Sequence, residues 1–294
     1  MSKFCEGRVA IVTGAGGGLG AAHAKVFARE GGAVIVNDIN AEAAQAVVDE
    51  ITAAGGKAAV NTSDITNYDD SLNAVTQALD TFGDLNVVVN NAGICRDRMF
   101  ASLTEAEWDS VISVHLKGHF CISSHAVHYW RGKSKAGEEV NGRIINTTSG
   151  AGLQGSVGQS NYAAAKAGIA ALTLNQAAEL ARYGVTDNAL APAARTDMTT
   201  QVEEFAARMA APDEGFDYYA PENVSSIVVW LGSTESSHVT GRIFESEGGK
   251  LNICDGWRTG QWVDNGDYIQ PSKCGDIVAK LLEVEVPAQK VYGT

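Results

Sequence analysis

Short apolar runs alternate with alanine-rich segments along the chain from Arg8 onward. Runs such as VAIVTG, AVIVND and LNVVVN are apolar at every position and do not alternate in and out. Such strands are covered on both faces, as in a parallel sheet sandwiched by helices. This pattern predicts strands over 8–13, 33–38, 57–61, 85–90, 143–148, 185–191 and 241–245. Helical periodicity fills 18–31, 41–54, 68–82, 104–131, 160–183 and 221–232. The alternation predicts an α/β chain, a single-domain Rossmann-like doubly wound parallel sheet of about seven strands with helices on both faces. Ligands of such a sheet sit beyond the carboxyl ends of its strands.

No proline- or glycine-rich linker divides the chain, so the catalytic unit is expected over residues 1–249. Residues 193–220 interrupt the alternation and are expected to form a lid over substrate. Residues 250–294 follow the last strand as a polar, tryptophan-containing extension. Trp257, Trp262, Tyr268 and the amphipathic GDIVAKLLEV are expected to pack on the same domain or a neighbouring subunit, or to serve as surface cover.

With 45% hydrophobic residues, the 294-residue chain has enough apolar material for a core. A net charge of −13 argues against a nucleic-acid partner, whose phosphates call for clustered Lys and Arg. Five scattered cysteines without a CxxC pair read as reduced thiols. No apolar run reaches the length of a membrane span, and the first residues enter a strand at once, so a cytoplasmic setting without a signal peptide is expected.

VTGAGGGLG joins the first strand to the first helix. Side-chain-free backbone can approach a pyrophosphate, and a helix N-terminus offers unpaired N–H groups and the positive dipole end. Asp38 closes the second strand, where a carboxylate accepts ribose hydroxyls and repels a 2′-phosphate. Neither Ile39 nor Asn40 is basic, so NAD is expected over NADP. SNYAAAKAG places Tyr162 and Lys166 one helical turn apart on one face. Alone, that spacing is ordinary on an exposed helix.

The order T-G-x-x-x-G-x-G (Thr13, Gly14, Gly18, Gly20), Asn90-Asn91-Ala92-Gly93, Ser149 and Tyr162-x-x-x-Lys166 resembles the short-chain dehydrogenase/reductase family. NNAGICRDRMF, VISVHLKGHF, SGAGLQGSVGQSNYAAAKAG and GRIFESEGG are similar to the branch with the (3R)-hydroxyacyl-CoA dehydrogenase part of peroxisomal multifunctional enzymes and bacterial hydroxysteroid dehydrogenases. The resemblance implies oxidation of a secondary alcohol, or the reverse ketone reduction, on an apolar small molecule. It also implies a cofactor lined by Gly14, Gly18, Leu19, Gly20, Asn91, Ala92, Gly93, Pro192 and Thr196, with Asp64 and Ile65 at the adenine. Helices 104–131 and 160–183 are implied to form a homo-oligomer interface, tetrameric or dimeric.

An unperturbed phenol, with a pKa of about 10, is a poor base at neutral pH, and a neighbouring ammonium and a cationic nicotinamide favour its ionised form. Tyr162 is therefore expected to act as acid/base, Lys166 as electrostatic partner and ribose ligand, and Ser149 as donor to the substrate oxygen. His115 stands where the family pattern has asparagine. Its imidazole can relay a proton or merely bond backbone, and both readings stay open. His115, His119, His125 and His128 share a helix, yet no third ligand on another element converges on them, so no metal is expected.

Pro192-Ala193 replaces the family's usual Pro-Gly hinge. Arg195, Arg96 and Arg98 are either phosphate contacts for an acyl-CoA or plain surface charge. Asp187 falls in a strand expected to be buried, which sequence does not explain. Two rival functions remain: a carrier-protein ketoreductase, and a non-catalytic NAD-binding sensor.

Overall fold

The computed structural model describes residues 3–200, 203–264, 266, 269–286 and 289–294. The sheet has eight strands in the order β3-β2-β1-β4-β5-β6-β7-β8. They are β1 Val9–Thr13, β2 Ala33–Asn37, β3 Lys57–Asn61, β4 Val87–Asn90, β5 Gly142–Thr147, β6 Val185–Ala193, β7 Ile243–Glu247 and β8 Lys250–Ile253. The first seven run parallel and are the seven expected. The eighth pairs antiparallel with β7 through a two-residue turn, Gly248-Gly249. KLNI is exposed at every position, so its apolar content carried no strand signal.

Ten α-helices are present among the described residues: α1 Gly18–Arg29, α2 Ala41–Ala53, α3 Tyr68–Phe82, α4 Glu105–Ile112, α5 Gly118–Lys135, α6 Gly150–Gln154, α7 Ser160–Leu180, α8 Glu203–Arg208, α9 Pro221–Gly232 and α10 Pro271–Leu282. The helix expected over 104–131 is divided by a π-helical turn, Ser113–Lys117. It carries neither proline nor a sequence break, so only the backbone reveals it.

Side chains of a strand alternate between faces, and the fully apolar strands feed two cores. Ala10, Val12, Val34, Val36, Val87 and Val89 pack with Phe27 and Val228 from α1 and α9. Val9, Ile11, Ile35, Val88 and Ile144 pack on the other face with Val75, Ile122 and Trp130 from α3 and α5. Trp130 is fully buried and donates its Nε1–H to the Leu85 carbonyl at 2.7 Å.

Strand order reverses direction between β1 and β4, and the loops leaving β1, β4, β5 and β6 open there into one cleft. The extension after β8 carries α10, which buries none of its residues. Trp257 and Trp262 are exposed, and Tyr268 lies outside the described residues. The chain then returns to its own domain: Val157 N–H donates to the Tyr292 carbonyl at 2.9 Å, and Tyr292 N–H to Gly155 at 3.2 Å.

Candidate active site

The cleft encloses about 320 Å³ and is lined by Gly14, Gly18, Leu19, Asp38, Asn91, Ala92, Gly93, His115, Ser149, Tyr162, Lys166, Pro192 and Thr196. Three residues named from sequence lie off its walls. Gly20 packs beneath the loop, where a Cβ would stand 2.2 Å from the Gly14 carbonyl oxygen. Asp64 accepts from Thr66 in its own turn, and Ile65 is buried under Gly118. Thr147, Thr148, Asp197, Met198 and Thr199 line the cleft without having been singled out. Their signal was adjacency to Ser149 and to Thr196.

The glycine loop has the form that a dinucleotide cradle needs. Gly17 caps α1 in an extended conformation, no side chain caps the helix, and no acidic residue occupies its first turn. Its N–H groups therefore keep their positive end for a phosphate. Gly14 has φ +62°, and a Cβ there would lie 2.7 Å from the Ala92 backbone. The Asp38 carboxylate is fixed by the N–H groups of Gly16 (3.0 Å) and Asn40 (2.9 Å). Thr13 pins the opposite wall, since its Oγ1 accepts from Asn91 N at 3.0 Å and Ala92 N at 3.1 Å.

Tyr162 and Lys166 project together from α7, with Lys166 Nζ 5.5 Å from the phenol ring centroid. The start of α7 is held by Asn161, buried, whose amide donates to the Arg96 carbonyl at 3.0 Å and whose Oδ1 accepts the Tyr162 N–H at 2.8 Å. Burial, then the nearby Cys95 thiol, raises the Tyr162 pKa, and the Ser149 hydroxyl lowers it. The phenol is thus held protonated in the unliganded chain. Burial pulls the Lys166 ammonium down to about 7, with Cys95 pulling the other way. Lys166 Nζ donates to the Thr147 carbonyl at 2.6 Å.

His115 sits in the π-helical turn and stands edge-on to Tyr162, ring centroids 5.1 Å apart. Its Nε2 contacts the Ile94 carbonyl at 2.8 Å, and its Nδ1 is buried without a partner. Burial, then the Lys166 charge, lowers its pKa to about 3, so the ring is neutral. Gly93 makes room for it: a Cβ there would stand 2.3 Å from His115 Cε1.

Two of the arginines considered for an acyl-CoA phosphate are engaged internally. Arg195 forms a two-pronged pair with Asp217 and also donates to the Met209 carbonyl, latching the 193–220 segment on itself. Arg98 pairs with Glu107 at 2.9 Å. Among the described residues, no group of three or more His, Cys, Asp or Glu side chains forms a metal site, and no helix is long and apolar enough to cross a membrane.

A glycine cradle, an acidic strand end and a Ser–Tyr–Lys set around one cleft are parts of a nicotinamide-dependent oxidoreductase. The short chain dehydrogenase family profile matches residues 8–207. The chain belongs to the short-chain dehydrogenase family. A hydroxyacyl-CoA dehydrogenase, ChsB1, of Mycobacterium tuberculosis is 46% identical over 255 residues, covering 84% of this chain and 80% of that protein. A peroxisomal hydratase-dehydrogenase-epimerase of Neurospora crassa is 38% identical over 255 residues, 84% of this chain but 27% of that longer protein. A short-chain dehydrogenase from Mycobacterium avium shares the fold with a TM-score of 0.91 at 54% identity, covering 99% of this chain and 100% of that one. The non-catalytic sensor reading is thereby set aside: the chain is an oxidoreductase.

Proposed function

We propose that this short-chain dehydrogenase oxidises the secondary alcohol of a (3R)-hydroxyacyl-CoA or a hydroxysteroid with NAD, and reduces the ketone in reverse. The observation that carries the reading is the convergence of Ser149, Tyr162 and Lys166 beside an uncapped helix N-terminus. Similarity to a hydroxyacyl-CoA dehydrogenase and to multifunctional peroxisomal proteins supports the substrate class.

The residues fit a dinucleotide. Gly14, Gly18 and Leu19 would cradle the pyrophosphate, Asp38 the adenosine ribose, Asn91, Ala92 and Gly93 the central wall, and Lys166, Pro192 and Thr196 the nicotinamide half. Bound there, the nicotinamide ring supplies the hydride acceptor or donor. The chain's own work is proton transfer. Ser149 donates to the substrate oxygen, and Tyr162 takes or returns the hydroxyl proton. Lys166, anchored on Thr147, keeps positive charge below the phenol, and His115 Nδ1 offers a next station for the proton. Asp38 supports NAD over NADP, because a carboxylate repels a 2′-phosphate.

In this reading residues 1–249 are the catalytic unit, 193–220 the substrate lid, and 250–294 an extension tied back at Tyr292. Exposed Tyr68, Trp108, Phe120 and Leu174 on α3, α4, α5 and α7 support a homo-oligomer. The charge balance supports a protein without nucleic-acid partners, and the scattered cysteines support a cytoplasmic one. The experiment is to follow NADH formation with (3R)-hydroxyacyl-CoA esters, hydroxysteroids and small cyclic alcohols. No absorbance change with any of them overturns the proposal. Preference for NADPH and a carrier-protein thioester replaces it with the ketoreductase reading, for which a FabG of Thermotoga maritima, 37% identical over 246 residues, is the relative.

A further inference from the structure

His119 has no part in the reading above, yet it is 1% exposed and lies one helical turn beyond His115. The reason is in the sheet. The last register partners of β4 and β5 are Asn90 and Asn146. Thr147 is therefore the first residue of β5 beyond its neighbour, at the point where β4 turns away to form Asn91-Ala92-Gly93.

Within a strand, the N–H and C=O of one residue point to the same side. The next amide, Thr148, turns the other way and donates to Leu190 on β6 at 2.8 Å. The Thr147 N–H closes the Asn90–Asn146 pair of the ladder. Its carbonyl instead faces a gap that β4 has vacated, because Ala92 N–H turns to Thr13, and a buried carbonyl left unpaired is costly. Two side chains close on this edge of the sheet. The Thr147 N–H donates to His119 Nε2 at 3.3 Å, and the Thr147 carbonyl accepts Lys166 Nζ at 2.6 Å.

Accepting at Nε2 requires a neutral ring with its proton on Nδ1. Burial, reinforced by the charge of Lys166 and by His115, keeps the His119 pKa well below the usual imidazole range although the carbonyls of His115 and Asn90 act to raise it, and Nδ1 is buried without a hydrogen-bond partner. Protonated, the ring would lose the lone pair that Thr147 uses.

We infer that His119 is a positioning residue: it holds the Thr147 peptide from the side opposite its own helix turn, so that the carbonyl anchoring Lys166 stays in place under Tyr162. This rests on the proposed role of Lys166. A histidine that merely fills space would be indifferent to where its acceptor atom stands. His119→Gln keeps an acceptor near the reach of Nε2. His119→Asn, similar in polarity, stops near Nδ1.

The test compares the two variants with the wild-type chain in steady-state kinetics and in amide hydrogen exchange at Thr147. His119→Gln should keep kcat within about threefold, and His119→Asn should lose about tenfold or more in kcat with KM for the alcohol little changed. Thr147 exchange should be slow in the wild type and His119→Gln and fast in His119→Asn. Equal kcat values for the two variants, or equal Thr147 protection, overturn the inference. A wild-type chain that turns over no alcohol refutes the function instead, and the exchange comparison then still decides whether His119 holds Thr147.

Discussion

Asn146 on β5 donates its amide to one carboxylate oxygen of Asp187 on β6 at 3.0 Å, and the second oxygen of Asp187 has no partner. The carboxyl is fully buried, and burial raises its pKa well above the ordinary carboxylate range. The same Asn146 amide reaches Thr173 Oγ1 at 3.0 Å, while its oxygen accepts from Asn90 at 2.8 Å. A polar thread thus crosses three strands inside an apolar core, with one end loose.

Asp187 therefore makes stability depend on pH. Its folded pKa lies above its unfolded value, so its contribution is most favourable below about pH 4 and is lost as pH rises toward the folded value. Asp187→Asn should remove that loss, stabilising the chain by about 1–3 kcal/mol at neutral pH and by little near pH 4. Denaturant unfolding at several pH values measures the gap, which should widen upward.

Tyr162→Phe should lower kcat by about 10²–10⁴-fold, the range for loss of a positioned acid/base group. NADH affinity, read by fluorescence titration, should stay within a few-fold. Retained turnover would remove the phenol from the proton path.

Asp38→Ser should narrow the preference between the two nicotinamide dinucleotides by about tenfold or more, through weaker NAD use and better NADP use. The ratio of kcat/KM values measures it. An unchanged ratio would place discrimination elsewhere in the cleft.

Gly93→Ala would push a methyl group into the His115 ring, since the Cβ would stand 2.3 Å from Cε1. Relaxation should cost about 1–3 kcal/mol, the range for overpacking. Because His115 packs edge-on to Tyr162, kcat should fall along with the melting temperature.

The parallel sheet was legible because β1, β2 and β4 are apolar at nearly every position and bury both faces. Tyr162, Lys166, Ser149 and the glycine loop were legible because helix period and strand–loop–helix order are local properties. What escaped has no local period. The Thr147 bonds to His119 and Lys166 span 28 and 19 residues, and Asn146 to Asp187 spans 41. Asp64 and Ile65 were assigned by resemblance, and the structure spends one on its own turn and the other under Gly118. Arg195 stood open as a phosphate contact or surface charge because its partner Asp217 is 22 residues away in sequence.

The π-helical turn between α4 and α5 sets a constraint on how this chain changes over time. Such a turn holds one residue more than an α-helix of the same span. Deleting one residue between Ser113 and Lys117 would restore a regular helix with the segments on either side still in phase, but would displace the residues inside the turn. His115, inside the turn, would then lose its aim at Ile94, while His119, beyond it, would keep its place beside Thr147 at the end of β5. Length in this five-residue stretch is thus under tighter control than its composition, and descendants of this sequence should vary their side chains there before they lose a residue.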